Sequence, residues 1–228
     1  MKYKAVLFDL FGTLVDNFSR ASYESVLADM ALVVGVPRED FVRLWFETYQ
    51  ERNTGIHPTP QFSLRFICRE LDIYATEEQI QRAAHIRLDY SRSALEPRAD
   101  TIDTIKQLKA ANIKTGLISD CTGDIPMVWE STKFAGILDA TVFSCEVNAK
   151  KPDPAMYRAA TDRLGVEPGE CLFVGDGGSG ELSGARQLGM TAVLIRDPDE
   201  GDYQMMTRED DWDGPRIKYL REVLDLVK

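Results

Sequence analysis

Five short apolar runs, separated by stretches with helical spacing, constrain the fold of this chain more than any other feature. The runs cover residues 4–8, 113–118, 141–144, 171–174 and 191–195. Between them, apolar residues recur at every third or fourth position, as at Ile102, Ile105 and Leu108, at Met156, Ala160 and Leu164, and again over residues 217–227. Short buried strands that alternate with helices are typical of a parallel sheet covered by helices on both faces. The sequence therefore predicts an α/β fold.

Residues 17–92 interrupt this alternation and contain no convincing strand. Their spacing predicts four helices near residues 19–34, 38–52, 60–72 and 76–92, separated by glycine and proline. We interpret this block as an inserted all-helical domain, which leaves residues 1–16 and 93–228 as the α/β core. Because ligands bind beyond the carboxyl ends of parallel strands, an insert that leaves the chain there would cover the site as a lid.

The overall charge limits the classes of partner. The formal net charge is −10, with 37 acidic and 27 basic residues, so nucleic acids and anionic membranes are not expected to bind. A small anionic substrate is compatible, because a site can be locally positive. We expect a cytoplasmic protein, a monomer or a dimer, without a signal peptide or a membrane span. The four cysteines form no CxxC pair and are expected to be free thiols.

Polar residues follow four of the predicted strands at their carboxyl ends. Asp9 ends the first run, Ser119 and Asp120 end the second, Lys151 follows the third, and Asp176 ends the fourth. Each of these residues alone could be an ordinary turn residue without a function. Since the carboxyl ends of parallel strands meet at one edge of the sheet, these residues are expected to converge on a single site.

Four stretches around these residues, in this order, carry a family resemblance. The sequences FDLFGTLVD, LISD, KPDP and GDGGSGELSGA resemble the four motifs of the haloacid dehalogenase-like (HAD) hydrolase superfamily. The resemblance covers essentially the whole chain, and the helical insert is similar to the C1 cap of that family. It implies a Rossmann-like core and a covalent mechanism through an aspartate.

The residue chemistry is consistent with this resemblance. Asp9 is the expected nucleophile, because a carboxylate beside a cation is competent to attack phosphorus. Lys151 would supply a fixed positive charge, and Ser119 would offer its hydroxyl and a neighbouring amide to phosphate oxygens. Gly12 allows a tight turn whose amides can face an anion, and Thr13 would buttress that turn.

A divalent cation is expected beside the nucleophile. Asp9, Asp176 and Glu181 would bring about three negative charges together, of which Lys151 balances one. By resemblance, Mg²⁺ would be held by Asp9, by the backbone carbonyl of Phe11 and by Asp176. Glu181 stands where the family more often has a second Asp, and it would reach the metal directly or through water. A second interpretation makes Glu181 an acid favoured by the dipole at a helix N-terminus.

The first motif departs from the phosphatase pattern at Phe11. Phosphatases of the family usually carry an Asp there, which protonates the leaving group, and loss of a general acid costs about 10²–10⁴ in rate. A first interpretation is a Mg²⁺-dependent phosphatase whose substrate has a good leaving group, such as an acyl, aryl or enol phosphate. Water or a cap residue would otherwise donate the proton.

A second interpretation is a 2-haloacid dehalogenase, because halide leaves without a proton and these enzymes carry an aromatic residue at this position. Two features disagree. Dehalogenases replace the acid of the fourth motif, whereas Asp176 is retained. They also carry an Arg directly after a Trp on an early cap helix, whereas Trp45 precedes Phe46 and the nearby arginines are Arg43 and Arg52.

A third interpretation is a catalytically weak protein that binds a metabolite or a partner. Asp120 favours it, because the family often has Asn there and an acid adds negative charge near a phosphate pocket. Asp120 is alternatively a turn or cap residue before a helix predicted over residues 122–131. The retained acid cluster implies Mg²⁺ and therefore ranks the phosphatase first.

Two further sequence features carry weaker predictions. The helical insert offers candidate side chains for substrate contact, although a solvated helix face or a loop end is the favoured interpretation of each: Tyr49, Arg52, His57 and Arg65. The acid-rich stretch over residues 197–213 is predicted to be a solvated loop rather than a metal site.

Overall fold

The computed structural model describes residues 2–196, 209 and 211–228. Its centre is a six-stranded sheet in the order β3-β2-β1-β4-β5-β6, in which every neighbouring pair is parallel. The strands are β1 (Ala5–Phe8), β2 (Lys114–Ser119), β3 (Ala140–Phe143), β4 (Cys171–Gly175), β5 (Thr191–Ile195) and β6 (Arg216–Ile217). Each predicted run overlaps one of the first five strands, which confirms the α/β fold class.

Helices connect the strands and cover both faces of the sheet. They are α1 (Arg20–Val34), α2 (Arg38–Glu47), α3 (Tyr49–Asn53), α4 (Pro60–Glu70), α5 (Glu77–Ala94), α6 (Thr101–Ala110), α7 (Asp124–Trp129), α8 (Ser144–Val147), α9 (Pro154–Leu164), α10 (Glu181–Gln187) and α11 (Val223–Leu226). Successive residues of β1 point to opposite faces. Val6 and Phe8 join one buried cluster, while Ala5 and Leu7 join another.

The helices α1 to α5, here called the cap helices, have a hydrophobic core of their own. It is built around large side chains that are almost completely buried, including Leu27, Met30, Phe41, Trp45 and Leu64. The described residues between β1 and β2 form helices, turns and isolated bridges but no strand. This arrangement is compatible with the inserted helical domain, whose boundaries at residues 17 and 92 stay predictions.

The structure corrects three helix predictions. The helix predicted over 38–52 is divided at Thr48, whose hydroxyl donates to the carbonyl of Leu44 at 2.8 Å, a contact that bends helices. The helix predicted over 217–227 is observed only as α11, which begins at Val223. Before it, Ile217 pairs with Ile195 in the sheet and a 3₁₀ turn follows at Leu220–Glu222. The helix over 122–131 shortens to α7.

Three other predictions concern the rest of the chain. All four cysteines are free thiols. None of the helices in the described part of the chain combines the length and apolar character that crossing a bilayer requires. The acid-rich loop lies largely outside the described residues. Glu209, which is described, accepts hydrogen bonds from the N–H groups of Leu182 at 2.8 Å and of Ser183 at 3.1 Å.

Candidate active site

The strand order brings the predicted polar residues together. Because β1 lies between β2 and β4, the residues after these strands meet at the centre of the carboxyl edge. Asp9 follows β1, and its N–H donates to the carbonyl of Val174 in β4 at 2.9 Å. Ser119 ends β2, Asp176 follows β4, and Lys151 lies in the loop between α8 and α9. Asp9, Lys151 and Asp176 line one pocket.

This pocket extends from the sheet edge to the cap helices and has a volume of about 120 Å³. We call its two parts the core end and the cap end. The core end consists of Asp9, Asp120, Lys151, Asp176 and Glu181. The cap end consists of Phe18, Tyr23, Phe46, Tyr49, Asn53 and Arg87, with Phe11 between the two ends. The shape fits a small molecule that contacts the sheet edge and the cap helices at once.

Lys151 is the central cation of the core end. Its Nζ donates to Asp9 Oδ1 at 2.5 Å and to Glu181 Oε2 at 2.6 Å, and only 3% of its side chain is exposed. Burial alone would lower the pKa of this ammonium, but Asp9 and Glu181 outweigh burial and hold the pKa well above its ordinary value. Lys151 is therefore a permanent positive charge at this site.

Three buried carboxylates lie together at the core end, and two of them, Asp9 and Glu181, pair with Lys151. Asp9, Asp176 and Glu181 each offer an oxygen, and these oxygens all lie within 4.8 Å of one another. Burial raises the pKa of Asp9 despite Lys151, and the charge of Asp176 adds to the effect. Burial, followed by the charge of Asp9, raises the pKa of Glu181 well above its ordinary value. With all three carboxylates ionised, the cluster would have more negative charge than Lys151 balances, and its donors are all oxygens, so it fits a hard divalent cation.

The structure bears on the two interpretations that the sequence allows for Glu181 and for Asp120. Glu181 is the first residue of α10, as expected of a helix-terminal acid, but it is buried against Lys151 and also accepts the N–H of Gly177 at 2.9 Å. Asp120 does not cap α7. Its Oδ1 instead accepts the N–H of Lys151 at 2.9 Å, which fixes the loop that carries the lysine.

Gly12, Thr13 and Ser119 lie behind the pocket lining. Thr13 donates from its hydroxyl to Asp9 Oδ2 at 3.2 Å. Gly12 has φ +83°, and a Cβ there would lie 2.5 Å from Asp176 Oδ2, so the turn requires glycine on both counts. Ser119 is fully buried, and its hydroxyl has no hydrogen-bond partner within the described part of the chain. The roles predicted for these residues toward phosphate stay predictions.

Phe11 is the first ring of an aromatic wall that continues into the cap helices. Its ring centroid lies 4.5 Å from that of Phe18, which in turn lies 5.9 Å from Tyr23 and 5.6 Å from Tyr90. Tyr23 also contacts Phe46, at 6.0 Å between centroids. The aromatic residue in the first motif therefore packs against Phe18, which itself packs against side chains of α1 and α5. A carboxylate at position 11 would have no such partner.

Of the cap side chains suggested by the sequence, Tyr49 reaches the pocket. Burial, followed by the charge of Asp120, raises the pKa of Tyr49 to about 12. Arg52 is buried under the ring of Trp45 rather than being a surface charge. His57 packs between two phenylalanine rings, and Arg65 forms an exposed ion pair. Arg43 is likewise an exposed surface charge.

Arg87 is a buried side chain of the pocket lining that the sequence reasoning missed. It lines the pocket although it belongs to the buried face of α5, with Ile80, Ala83, Ala84 and Ser91. A sequence signal existed: an arginine occupies a position of an otherwise small or apolar helical stripe. Arg87 forms an ion pair with Asp124 of α7, at 3.0 Å from Nη2 to Oδ2.

Comparison with known proteins gives a consistent result. A model of haloacid dehalogenase-like hydrolases matches residues 3–189. The chain is 30% identical to a glyceraldehyde 3-phosphate phosphatase of Methanopyrus kandleri, with 99% of this chain and 97% of that protein covered. It is 28% identical to (S)-2-haloacid dehalogenase 4A of Burkholderia cepacia, over 84% and 82% of the two chains. A solved HAD phosphatase from Thermococcus onnurineus is 25% identical, with a TM-score of 0.66 and coverage of 98% and 97%.

Proposed function

Since the chain belongs to the haloacid dehalogenase-like hydrolases, we propose that it is a Mg²⁺-dependent phosphatase of a small phosphorylated metabolite. The observation that carries this proposal is the buried cluster of Asp9, Asp176 and Glu181 around Lys151. Such a concentration of carboxylate oxygens suits a cation that accompanies phosphate, and a haloacid dehalogenase has no need of it. The phosphatases among the relatives support the same reaction class.

Asp9 is the proposed nucleophile. One carboxylate oxygen forms a bond to phosphorus while the bond from phosphorus to the leaving oxygen breaks, and the leaving group departs with that electron pair. Water then attacks the resulting aspartyl phosphate, which releases phosphate and restores the carboxylate. Lys151 and Thr13 hold the two oxygens of Asp9 from different sides, at 2.5 Å and 3.2 Å, and so fix its orientation before attack.

The other residues of the site would bind the phosphoryl group and the metal. Ser119 and the amides around Gly12 are proposed to contact phosphate oxygens, with Lys151 stabilising the charge that develops on them. Mg²⁺ would be held by Asp9, Asp176, the carbonyl of Phe11 and, directly or through water, Glu181. When bound, the metal supplies neutralisation of the charge on the phosphoryl oxygens.

A good leaving group is favoured because the described residues of the site include no obvious proton donor to the leaving group. Phe11 cannot transfer a proton. Tyr49 is the cap residue at hand, but a phenol whose pKa is raised to about 12 is a poor acid at neutral pH. Acyl, aryl and enol phosphates, which need little protonation, therefore suit this site. Glyceraldehyde 3-phosphate, which gives one relative its name, is an alkyl phosphate and would need another proton source.

Replacement of Phe11 by Asp tests this leaving-group argument. We expect Phe11→Asp to raise kcat/KM for an alkyl phosphate relative to an aryl phosphate by at least about tenfold, because a general acid helps the poorer leaving group more. The matched control is Phe11→Asn, which makes the same change in packing against Phe18 without a transferable proton. An equal effect of Phe11→Asp on both substrates, measured by phosphate release, would remove the general-acid argument.

Metal binding is testable without turnover. We expect saturating Mg²⁺ to raise the Tm of the wild-type protein, since about 2.7 kcal/mol of stabilisation accompanies a ligand present at one hundred times its Kd. Asp176→Asn should lose most of this shift. The exposed Asp225, changed to Asn, is the control that should keep it. A shift of the same size in Asp176→Asn would show that the metal binds elsewhere.

The second candidate is a 2-haloacid dehalogenase. The observation in its favour is the aromatic wall that begins at Phe11, together with the dehalogenases among the relatives. In that reaction Asp9 would attack the carbon that carries the halogen, halide would leave, and water would cleave the ester. The three-carboxylate cluster ranks this candidate second, because halide displacement requires no divalent cation.

A further inference from the structure

The cap end of the pocket contains a buried cation that the proposed chemistry does not use. Arg87 lines the same pocket as Asp9 and Lys151, and 3% of its side chain is exposed. Its Nη2 pairs with Asp124 at 3.0 Å. Within the described part of the chain, Nε and Nη1 of Arg87 have no hydrogen-bond partner. The rings of Tyr23 and Tyr90, 4.9 Å and 5.6 Å from its Cζ, offer no hydrogen-bond acceptor of the ordinary kind. Because unsatisfied buried guanidinium donors are costly, these two nitrogens are available to a ligand in the pocket.

A second guanidinium lies beside the first. The Cζ atoms of Arg52 and Arg87 are 4.2 Å and 5.9 Å from the centroid of the Trp45 ring. Arg52 donates to Thr48 Oγ1 at 2.7 Å and to the carbonyl of Trp45, both uncharged acceptors. Arg52 is 2% exposed, so water does little to screen its charge.

Among the described residues, Asp124 is the carboxylate that forms an ion pair with Arg87, and its charge also acts on Arg52. Asp124 accepts from the hydroxyl groups of Ser91, at 2.5 Å, and of Thr122, in addition to its ion pair with Arg87. Its acceptor capacity is therefore largely used by neighbours in the protein. The cluster formed by Arg52, Arg87 and Asp124 thus has one positive charge in excess, which a ligand anion would compensate.

We propose that Arg87, with Arg52 behind it, binds a carboxylate at the end of the substrate remote from its phosphoryl group. The substrate class is then a phosphorylated carboxylic acid, an inference that rests on the phosphatase function proposed above. A guanidinium is well suited to a carboxylate in a water-poor site. An enol phosphate that also carries a carboxylate satisfies both Arg87 and the leaving-group requirement at Phe11.

Three substrates with the same carbon number and the same phosphate position test whether the site prefers a carboxylate over an uncharged group. They are 3-phosphoglycerate, glyceraldehyde 3-phosphate and glycerol 3-phosphate, which differ at the carbon that would meet Arg87. We expect kcat/KM for 3-phosphoglycerate to exceed both others by at least about tenfold, mainly through a lower KM, because a charged hydrogen bond is lost with the neutral tails. Equal values, or a preference for either neutral tail, would overturn the inference.

Variants of Arg87 test whether this residue causes the preference for 3-phosphoglycerate. Arg87→Lys retains the charge with fewer donors, and Arg87→Met combined with Asp124→Asn removes both charges so that neither is left unpaired. The double variant should lose about tenfold or more of the preference for 3-phosphoglycerate, and the Lys variant should lose part of it. The control is Arg92→Gln, an exposed arginine on the same helix, which should keep the preference. A purely structural role of Arg87 would lower turnover of every substrate alike and leave the preference intact.

The outcome for p-nitrophenyl phosphate, which has no carboxylate, distinguishes failure of the carboxylate site from failure of the proposed phosphatase function. Turnover of p-nitrophenyl phosphate by the wild-type protein, without a preference that depends on Arg87, overturns the carboxylate site and retains the phosphatase. Absence of Mg²⁺-dependent turnover of all four phosphate esters overturns the phosphatase, and the carboxylate inference with it.

Discussion

Asp9→Asn is expected to lower kcat by about 10⁴-fold or more, because removal of a covalent nucleophile disables the reaction pathway itself. The amide that replaces the carboxylate is neither a nucleophile nor a good ligand for a hard cation. The fold should persist, since Lys151 keeps its second partner, Glu181, at 2.6 Å. Phosphate release from an aryl phosphate under saturating Mg²⁺ is the measurement.

The same conservative change nearby provides the control. Asp16 stands seven positions later in the first motif, is 86% exposed at its side chain and pairs with Arg98. Asp16→Asn should retain activity close to that of the wild type. Circular dichroism and Tm would show that both variants are folded. Full activity in folded Asp9→Asn would mean that the aspartyl mechanism is wrong.

Asp124→Ala is expected to destabilise the protein by about 3–5 kcal/mol, the usual cost of leaving one partner of a buried ion pair without the other. Burial would raise the pKa of Asp124, but Arg87 and the hydroxyl donors outweigh it and hold that pKa below its ordinary value. Asp124 is therefore ionised at neutral pH and is the partner that makes the burial of Arg87 tolerable. Urea denaturation measures the loss.

The double variant Arg87→Met with Asp124→Asn separates charge from packing. It removes the unpaired charge, so it should lose less of the free energy of unfolding than Asp124→Ala alone. Because Arg87 belongs to α5 and Asp124 to α7, the pair joins the cap helices to the helix after β2. A change below about 1 kcal/mol for Asp124→Ala would show that this ion pair does not contribute to the fold.

The sheet could be predicted because its strands carry a local signal. Five strands are apolar runs in the sequence, and each appears in the sheet. The sixth is only Arg216–Ile217, too short to leave a pattern. Ile217, Leu220 and Val223 are all buried in one cluster at a spacing of three, which a helix explains equally well. The pairing of Ile217 with Ile195 is a tertiary contact that no local pattern encodes.

The core end of the site was predictable for a related reason. Asp9, Asp120 and Asp176 directly follow strands, and parallel strands bring their carboxyl ends together whatever the loops do. The cap end was not predictable, because Tyr23 and Arg87 reach the pocket through the packing of separate helices, α1 and α5. Helical spacing alone does not say which buried face of a helix contacts the core and which contacts the site. The interaction between Phe11 and Phe18 became apparent only in the folded chain.

The most direct test of the central claim compares two substrates under two conditions. An aryl phosphate and 2-chloropropionate are each incubated with the purified protein in the presence of Mg²⁺ and in the presence of EDTA, and the release of phosphate and chloride is measured. The carboxylate cluster at Asp9, Asp176 and Glu181 predicts phosphate release with Mg²⁺, none with EDTA, and no chloride release. Chloride release in EDTA without phosphate release would contradict the account and identify a dehalogenase. Inactivity on both substrates, with a metabolite bound to the purified protein, would instead support a binding role.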